Sequence, residues 1–182
     1  MSPDAERSLE QWLEEVKAEY WNRLASGAGG EGAIGVPHVL FRLAGHTFAV
    51  EASLCKGVVR RTRVARLPGV PPHVLGVAGI RGEVLSATDP AVLLGLPGER
   101  GDGRGYFLIL ASEGLRSALW VDWVDDVVLL DEARLLRGEA PWPLAPEGVM
   151  LGEWQGRDPG VRVVDGRQYL RVSAVRPGAD RA

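Results

Sequence analysis

Apolar residues follow two different periods along the chain, and the change between them divides it. In residues 3–25, Leu9, Trp12, Leu13, Val16, Tyr20 and Leu24 recur at three- and four-residue spacing, with Glu10, Glu14, Lys17 and Arg23 largely off that stripe. This spacing predicts an amphipathic helix over residues 1–26. Ser2-Pro3-Asp4 supplies a start signal: a capping hydroxyl, a proline suited to the first turn, and an acid near the positive end of the helix dipole. The glycines of residues 27–36 predict a break and a flexible linker. Two readings of the helix stand side by side: a cover for one end of a barrel, or a docking element with Trp12 and Trp21 as contacts to a partner or a second copy.

From residue 37 the pattern changes to short strands. Runs at 39–43 and 47–50, joined through Ala44-Gly45-His46, predict a hairpin; runs at 55–60 and 64–67 predict two further strands. Pro68-Gly69-Val70-Pro71-Pro72 interrupts regular structure. Residues 74–89 read as two apolar strands around a tight turn, in which Gly79 and Gly82 bracket Ile80-Arg81 and the arginine is displayed outward. Asp89 and Pro90 start a short helix, and residues 96–105 form a surface loop by composition.

The order then repeats. A hairpin from 106–110 and 117–121 is followed by a strand at 123–130, a break rich in proline and tryptophan at 141–146, and strands at 149–154 and 161–164. A last strand is expected at 168–172, matched to the strand that follows Arg81. The repeat predicts an all-β domain over residues 37–176, made of two small barrels, one from the strands of each half. Barrel closure would protect such short strands from exposed edges.

Composition narrows the function. With 182 residues, 46% of them hydrophobic, the chain can bury one domain core, and no apolar run approaches a membrane span, so no membrane insertion is expected. The N-terminus lacks the basic-then-apolar order of an export signal, which makes the cytoplasm the expected compartment. A single cysteine, Cys55, excludes an internal disulfide framework and reads as a small buried hydrophobe. The net charge of -3 is uneven: residues 1–31 carry -4 and the remainder about +1, not the strongly basic balance of a nucleic-acid binder.

No catalytic constellation emerges. His38, His46 and His73 have no metal-like spacing and are expected in solvent-facing loops; Ser86 and Ser173 lack a nucleophile-elbow pattern. Asp122, Asp125 and Asp126 read as edge charges and turn formers. Gly101-Asp102-Gly103-Arg104-Gly105 leads into a strand, where a phosphate loop would lead into a helix. Arg60, Arg61, Arg63 and Arg66 form the one basic cluster, readable as a solvated face, a patch for an acidic partner, or a nucleic-acid contact. Against the last, no aromatic residue falls between Phe48 and Tyr106. With no cofactor, metal or active site to assign, a non-enzymatic binding module remains.

The ordered set Phe41-x-Leu43, Phe48-Ala49-Val50-Glu51, Val58, Leu67-Pro68, Gly76-Val77-Ala78-Gly79-Ile80-Arg81-Gly82, Val84-Leu85 and Asp89 resembles the CheW-type coupling proteins of bacterial chemotaxis. So does the segment 118–127, and the likeness covers residues 37–175. It implies two five-stranded SH3-like barrels around a shared core. It also implies a non-catalytic adaptor between the cytoplasmic tips of chemoreceptors and a CheA-type histidine kinase, recruited to receptor arrays. On this resemblance Arg81 with Gly82 and Gly79 marks the coupling turn, and the neighbourhood of Cys55, Val58 and Gly76 marks a groove for the receptor tip. The chain departs from the family pattern in having Gly79 for asparagine, Ser86 for proline and Gly57 for glutamate, and in its long N-terminal segment. Those departures keep open a scaffold in a motility or pilus-type system with a non-kinase partner, self-associating through the N-terminal helix. A small-barrel nucleic-acid binder is the further alternative.

Overall fold

The chain alternates short strands with glycine turns from its first described residue onward. The computed structural model describes residues 35–97, 103–138, 144–156 and 160–174; the expected N-terminal helix, most of the linker, and Trp12 and Trp21 lie outside them. In chain order the strands of the first half are β1 (Val36–Leu43), β2 (His46–Glu51), β3 (Cys55–Arg60), β4 (Val64–Ala65), β5 (Val74–Ile80) and β6 (Glu83–Thr88), followed by helix α1 (Pro90–Leu93). The second half gives β7 (Tyr106–Ser112), β8 (Leu115–Val121), β9 (Trp123–Leu130), β10 (Leu135–Leu136), β11 (Met150–Trp154) and β12 (Val161–Val164), followed by helix α2 (Gly166–Ser173). The two halves therefore repeat element for element.

How the halves combine differs from expectation. One sheet runs β10-β11-β12-β2-β1-β9 and the other β3-β7-β8-β6-β5-β4, so both are six-stranded in place of the five expected per barrel. Each half contributes its hairpin to the sheet of the other half: β1 pairs with β9 and β2 with β12, while β7 pairs with β3 and β8 with β6. The lobes are thus not the first-half and second-half strands. A 3-10 turn at Ala52–Leu54 carries the chain from one sheet to the other after β2, and Asp122 alone does so after β8.

Alternating burial follows from this layout. On one side of each sheet lies its own cluster: Leu40, Ala49, Leu130, Val161 and Val163 in the first, and Ile80, Leu85, Phe107, Ile109 and Trp120 in the second. The opposite sides face each other across a shared core, where Phe41, Phe48 and Val164 of one sheet pack with Val58, Leu108, Leu110 and Leu119 of the other. Phe41 and Phe48 stack there at 5.7 Å.

Two corrections concern local structure. Residues 168–172 are not a strand but part of α2, capped by Asp165, whose carboxylate accepts from the backbone N–H of Arg167 (2.9 Å) and Gln168 (3.0 Å). The counterpart of the strand after Arg81 is β12, and α2 is the counterpart of α1, which Asp89 caps through the N–H of Ala91 at 2.9 Å. Of the histidines expected in solvent-facing loops, His38 lies in β1 and His46 begins β2, whereas His73 does lie in the turn before β5; all three are half-buried. Burial holds each of them below the ordinary imidazole pKa, against the hydrogen bonds to backbone oxygens that His38 and His73 make.

Candidate functional site

The β5–β6 hairpin pairs Ile80 with Glu83, leaving Arg81-Gly82 as a two-residue turn. Both residues have positive φ, +51° and +82°, the backbone of a type I′ turn. Glycine adopts that region freely, whereas for arginine it costs on the order of 1 kcal/mol. The hairpins at Ala44-Gly45 and Glu113-Gly114 have the same conformation. The backbone alone therefore does not set position 81 apart; of the three turns, it is the one that carries a cation at its exposed tip.

Gly79 is a strand residue, outside the turn itself, and pairs directly with Val84. A Cβ at position 79 would meet nothing within 4 Å. Because glycine has no side chain to lie beside Val84, that valine stands 75% exposed, the most exposed of the large hydrophobic residues described. Arg81, Gly79 and Val84 thus form one open face with a cation at its tip and an uncovered aliphatic group behind it. Val84 was legible as an outward position, since Leu85 and Ala87 alternate with it and are buried, but nothing in the sequence pattern alone showed that position 79 would leave it bare.

The other residues implicated with Arg81 lie elsewhere. Gly76 is buried at a bulge in β5, where φ is +135° and a Cβ would come within 2.1 Å of the Ala65 carbonyl oxygen. Cys55 and Val58 belong to the shared core, 1% and 5% exposed, so they shape the inter-sheet region from within. Cys55 Sγ donates to the Glu51 carbonyl oxygen at 3.7 Å.

The basic cluster does not form one patch. Arg61 is half-buried, stacked over Trp120 at 4.5 Å, with Nη1 donating to the Gly103 carbonyl oxygen at 2.9 Å; Arg60, Arg63 and Arg66 are exposed. The expectation that aromatic residues stay clear of the cluster is also corrected. Pairing of Arg60 with Tyr106 brings Tyr106 and Trp123 to a cleft of about 470 Å³ that Arg60 and Arg61 line. Separation in sequence hid this, because β3 and β7 come from different halves.

The acidic residues of the β8–β9 region do structural work. Asp122 accepts from the Ala44 N–H at 2.7 Å, and Asp125 takes both Nε and Nη2 of Arg42 at 2.9 and 2.8 Å, which ties the β1–β2 hairpin to β9. Helix α2 is held to both sheets by ion pairs, Arg167 with Glu51 (2.9 Å) and Arg171 with Glu113 (2.8 Å). The hydrogen bond and charge of Arg171 hold the Glu113 carboxyl below its ordinary pKa. Among the described residues no cluster of three or more His, Cys, Asp or Glu could hold a metal ion, and no helix is long and apolar enough to cross a membrane.

Two six-stranded sheets that exchange hairpins around a shared core, with a charged turn and an uncovered valine on the outside, define a duplicated, two-lobed β-domain. The CheW-like domain family matches residues 37–172, and the chain belongs to that family. It is 27% identical over 111 residues to the chemotaxis protein CheW of Bacillus subtilis (strain 168), covering 61% of this chain and 67% of that protein. The crystal structure of the scaffolding protein TtCheW from Thermoanaerobacter tengcongensis superposes with a TM-score of 0.64 at 18% identity, over 72% of this chain and 90% of that one, a likeness of fold.

Proposed function

We propose that this protein is a chemosensory adaptor that couples chemoreceptor cytoplasmic tips to a CheA-type histidine kinase, with the face around Arg81 as its kinase contact. The observation that carries this reading is Arg81 at the tip of the β5–β6 turn beside an uncovered Val84. An exposed cation with an aliphatic group next to it is the composition of a small protein-contact site: the apolar group supplies burial and the charge supplies orientation. Membership of the CheW-like domain family supports the same reading. The shared core around Cys55 and Val58 then serves as the rigid floor of a receptor groove, and recruitment to membrane-associated arrays follows from the receptors.

The test is binding of the full chain to a purified regulatory domain of a CheA-type kinase from the same cells. Arg81→Glu is expected to weaken binding at least tenfold while circular dichroism stays native. Arg81→Gly, which relieves the left-handed residue, is expected to weaken binding with the melting temperature unchanged or raised. Wild-type affinity in both variants would overturn Arg81 as the contact.

A further inference from the structure

Among the described strands, β9 is the outer strand of one sheet and β3 that of the other. β9 is eight residues long, and an open edge of that length presents backbone groups that folded chains usually cover. It exposes an apolar side chain near each end: Trp123 is 43% exposed and Leu129 37%. The Trp123 end opens into the cleft of about 470 Å³, where Trp123 meets Tyr106 edge-on at 5.3 Å. Among the described residues, Arg60, Arg61 and Arg104 line that cleft against one acid, Asp122. The strand itself carries Asp125 and Asp126 and no basic residue. The surface is thus positive and aromatic at one end, acidic along its middle and aliphatic at the other end.

The segment of residues 1–34 joins the described chain at the aliphatic end of this surface. A Cβ at Gly35 would lie 3.1 Å from the Leu129 Cβ and 3.0 Å from the Leu130 carbonyl. Trp12 and Leu24 share the apolar stripe expected over residues 3–25 and are twelve residues apart, ~18 Å along a helix. Trp123 and Leu129 are six residues apart, ~20 Å along a strand. A helix folded back from Gly35 therefore brings Leu24 to Leu129 and Trp12 to Trp123 and Tyr106. The charges match in the same register. Residues 1–15 hold Asp4, Glu6, Glu10, Glu14 and Glu15 against Arg7, a balance of -4, and fall over the arginines. Residues 16–31 hold Lys17 and Arg23 against Glu19 and Glu31, a balance of zero, and fall over the strand that carries the aspartates.

We infer that residues 3–25 form an amphipathic helix that docks on its own chain along the open edge of β9, with Leu24 at Leu129, Trp12 in the Trp123–Tyr106 cleft, and the acidic first half facing Arg60 and Arg104. The occupant is the same chain and not a second copy because of the connection. A glycine-rich stretch such as residues 27–34 spans on the order of 16 Å, which holds the helix at an effective concentration on the order of millimolar. At micromolar protein an identical helix on another molecule is outcompeted. The inference is independent of the kinase-adaptor reading, since both partners belong to this chain.

The test uses the full chain, labelled with nitrogen-15, carrying a nitroxide on one introduced cysteine; Cys55 is 1% exposed and stays unlabelled. A nitroxide at Glu10→Cys is expected to broaden the amide resonances of Arg104, Tyr106 and Trp123 and to spare those of Leu129 and Leu130. A nitroxide at Arg23→Cys should do the reverse. No selective broadening from either position, or the opposite order, would overturn the docking. Mixing nitroxide-bearing chains with separate nitrogen-15 chains should give no broadening; broadening equal to that within one chain would assign the helix to a second copy and overturn the inference. Arg60→Glu together with Arg104→Glu is expected to reduce the broadening from position 10 at least twofold, and adding Glu6→Arg and Glu14→Arg should restore it. A reduction that the second pair does not restore, or no reduction at all, would overturn the charge pairing and with it the proposed register.

Discussion

A methyl group at position 76 would sit 2.1 Å from the carbonyl oxygen of Ala65, on a backbone whose φ of +135° side chains rarely adopt. Position 152 repeats both features in the other lobe, with φ at +145° and the Leu136 carbonyl oxygen at 2.2 Å. Each glycine sits at a register shift, in β5 and in β11. The bulge therefore lets each two-residue strand, β4 or β10, lie close against its neighbour. Gly79 lies three residues from Gly76 under neither constraint. Gly76→Ala is accordingly expected to destabilise by about 2–3 kcal/mol, and Gly79→Ala to change stability by no more than about 0.5 kcal/mol, read as denaturant midpoints at constant m-value. Equal effects would mean that the close approach at Ala65 is not what requires glycine. From sequence the two glycines looked alike, because a bulge contact depends on which carbonyl comes to face the residue.

At the scale of elements, what was legible depended on whether a signal was local. The α1 start was readable because Asp89-Pro90 combines a cap with a proline in the first turn. Helix α2 carries an equally good cap, Asp165, and its buried positions Gly166, Tyr169, Leu170 and Ser173 fall at helical spacing. The strand expected at residues 168–172 arose from aligning the repeat one element out of step, so the helical period was there to be seen. Asp165→Ala should cost about 1 kcal/mol, and the loss should appear as faster amide exchange in Arg167 and Gln168. If exchange at those amides stays as in the wild type, Asp165 is not the cap that holds the helix start. Open faces were less legible than elements: Val84 stands bare where its cross-strand partner is Gly79 and where β6 has not yet met β8. Tyr106 meets Arg60 only through pairing between halves.

Hairpin exchange is a property of the whole molecule, and no local pattern announces it: a repeat shows that two sets of strands are equivalent without showing which set pairs with which. Its consequence is mechanical unity. Sheet β3-β7-β8-β6-β5-β4 is continuous in sequence, while the strands of the other sheet come from both sides of it. The shared core draws on both sheets and both helices, so removing either lobe would expose the aliphatic face of the other. The two lobes should therefore unfold together. Trp120 packs in the cluster belonging to one sheet and Trp154 against that of the other, which places a reporter in each. In protein labelled with 5-fluorotryptophan, the native resonances of Trp120 and Trp154 are expected to vanish at one common midpoint. Leu119, 2% exposed in the shared core, provides the decisive variant. Leu119→Ala should lower both midpoints together, by the equivalent of about 2–5 kcal/mol, even though Leu119 lies on only one of the sheets. Separated midpoints, or a shift confined to Trp120, would show two lobes folding independently; a common shift would make the pair of sheets one rigid frame that carries the Arg81 turn.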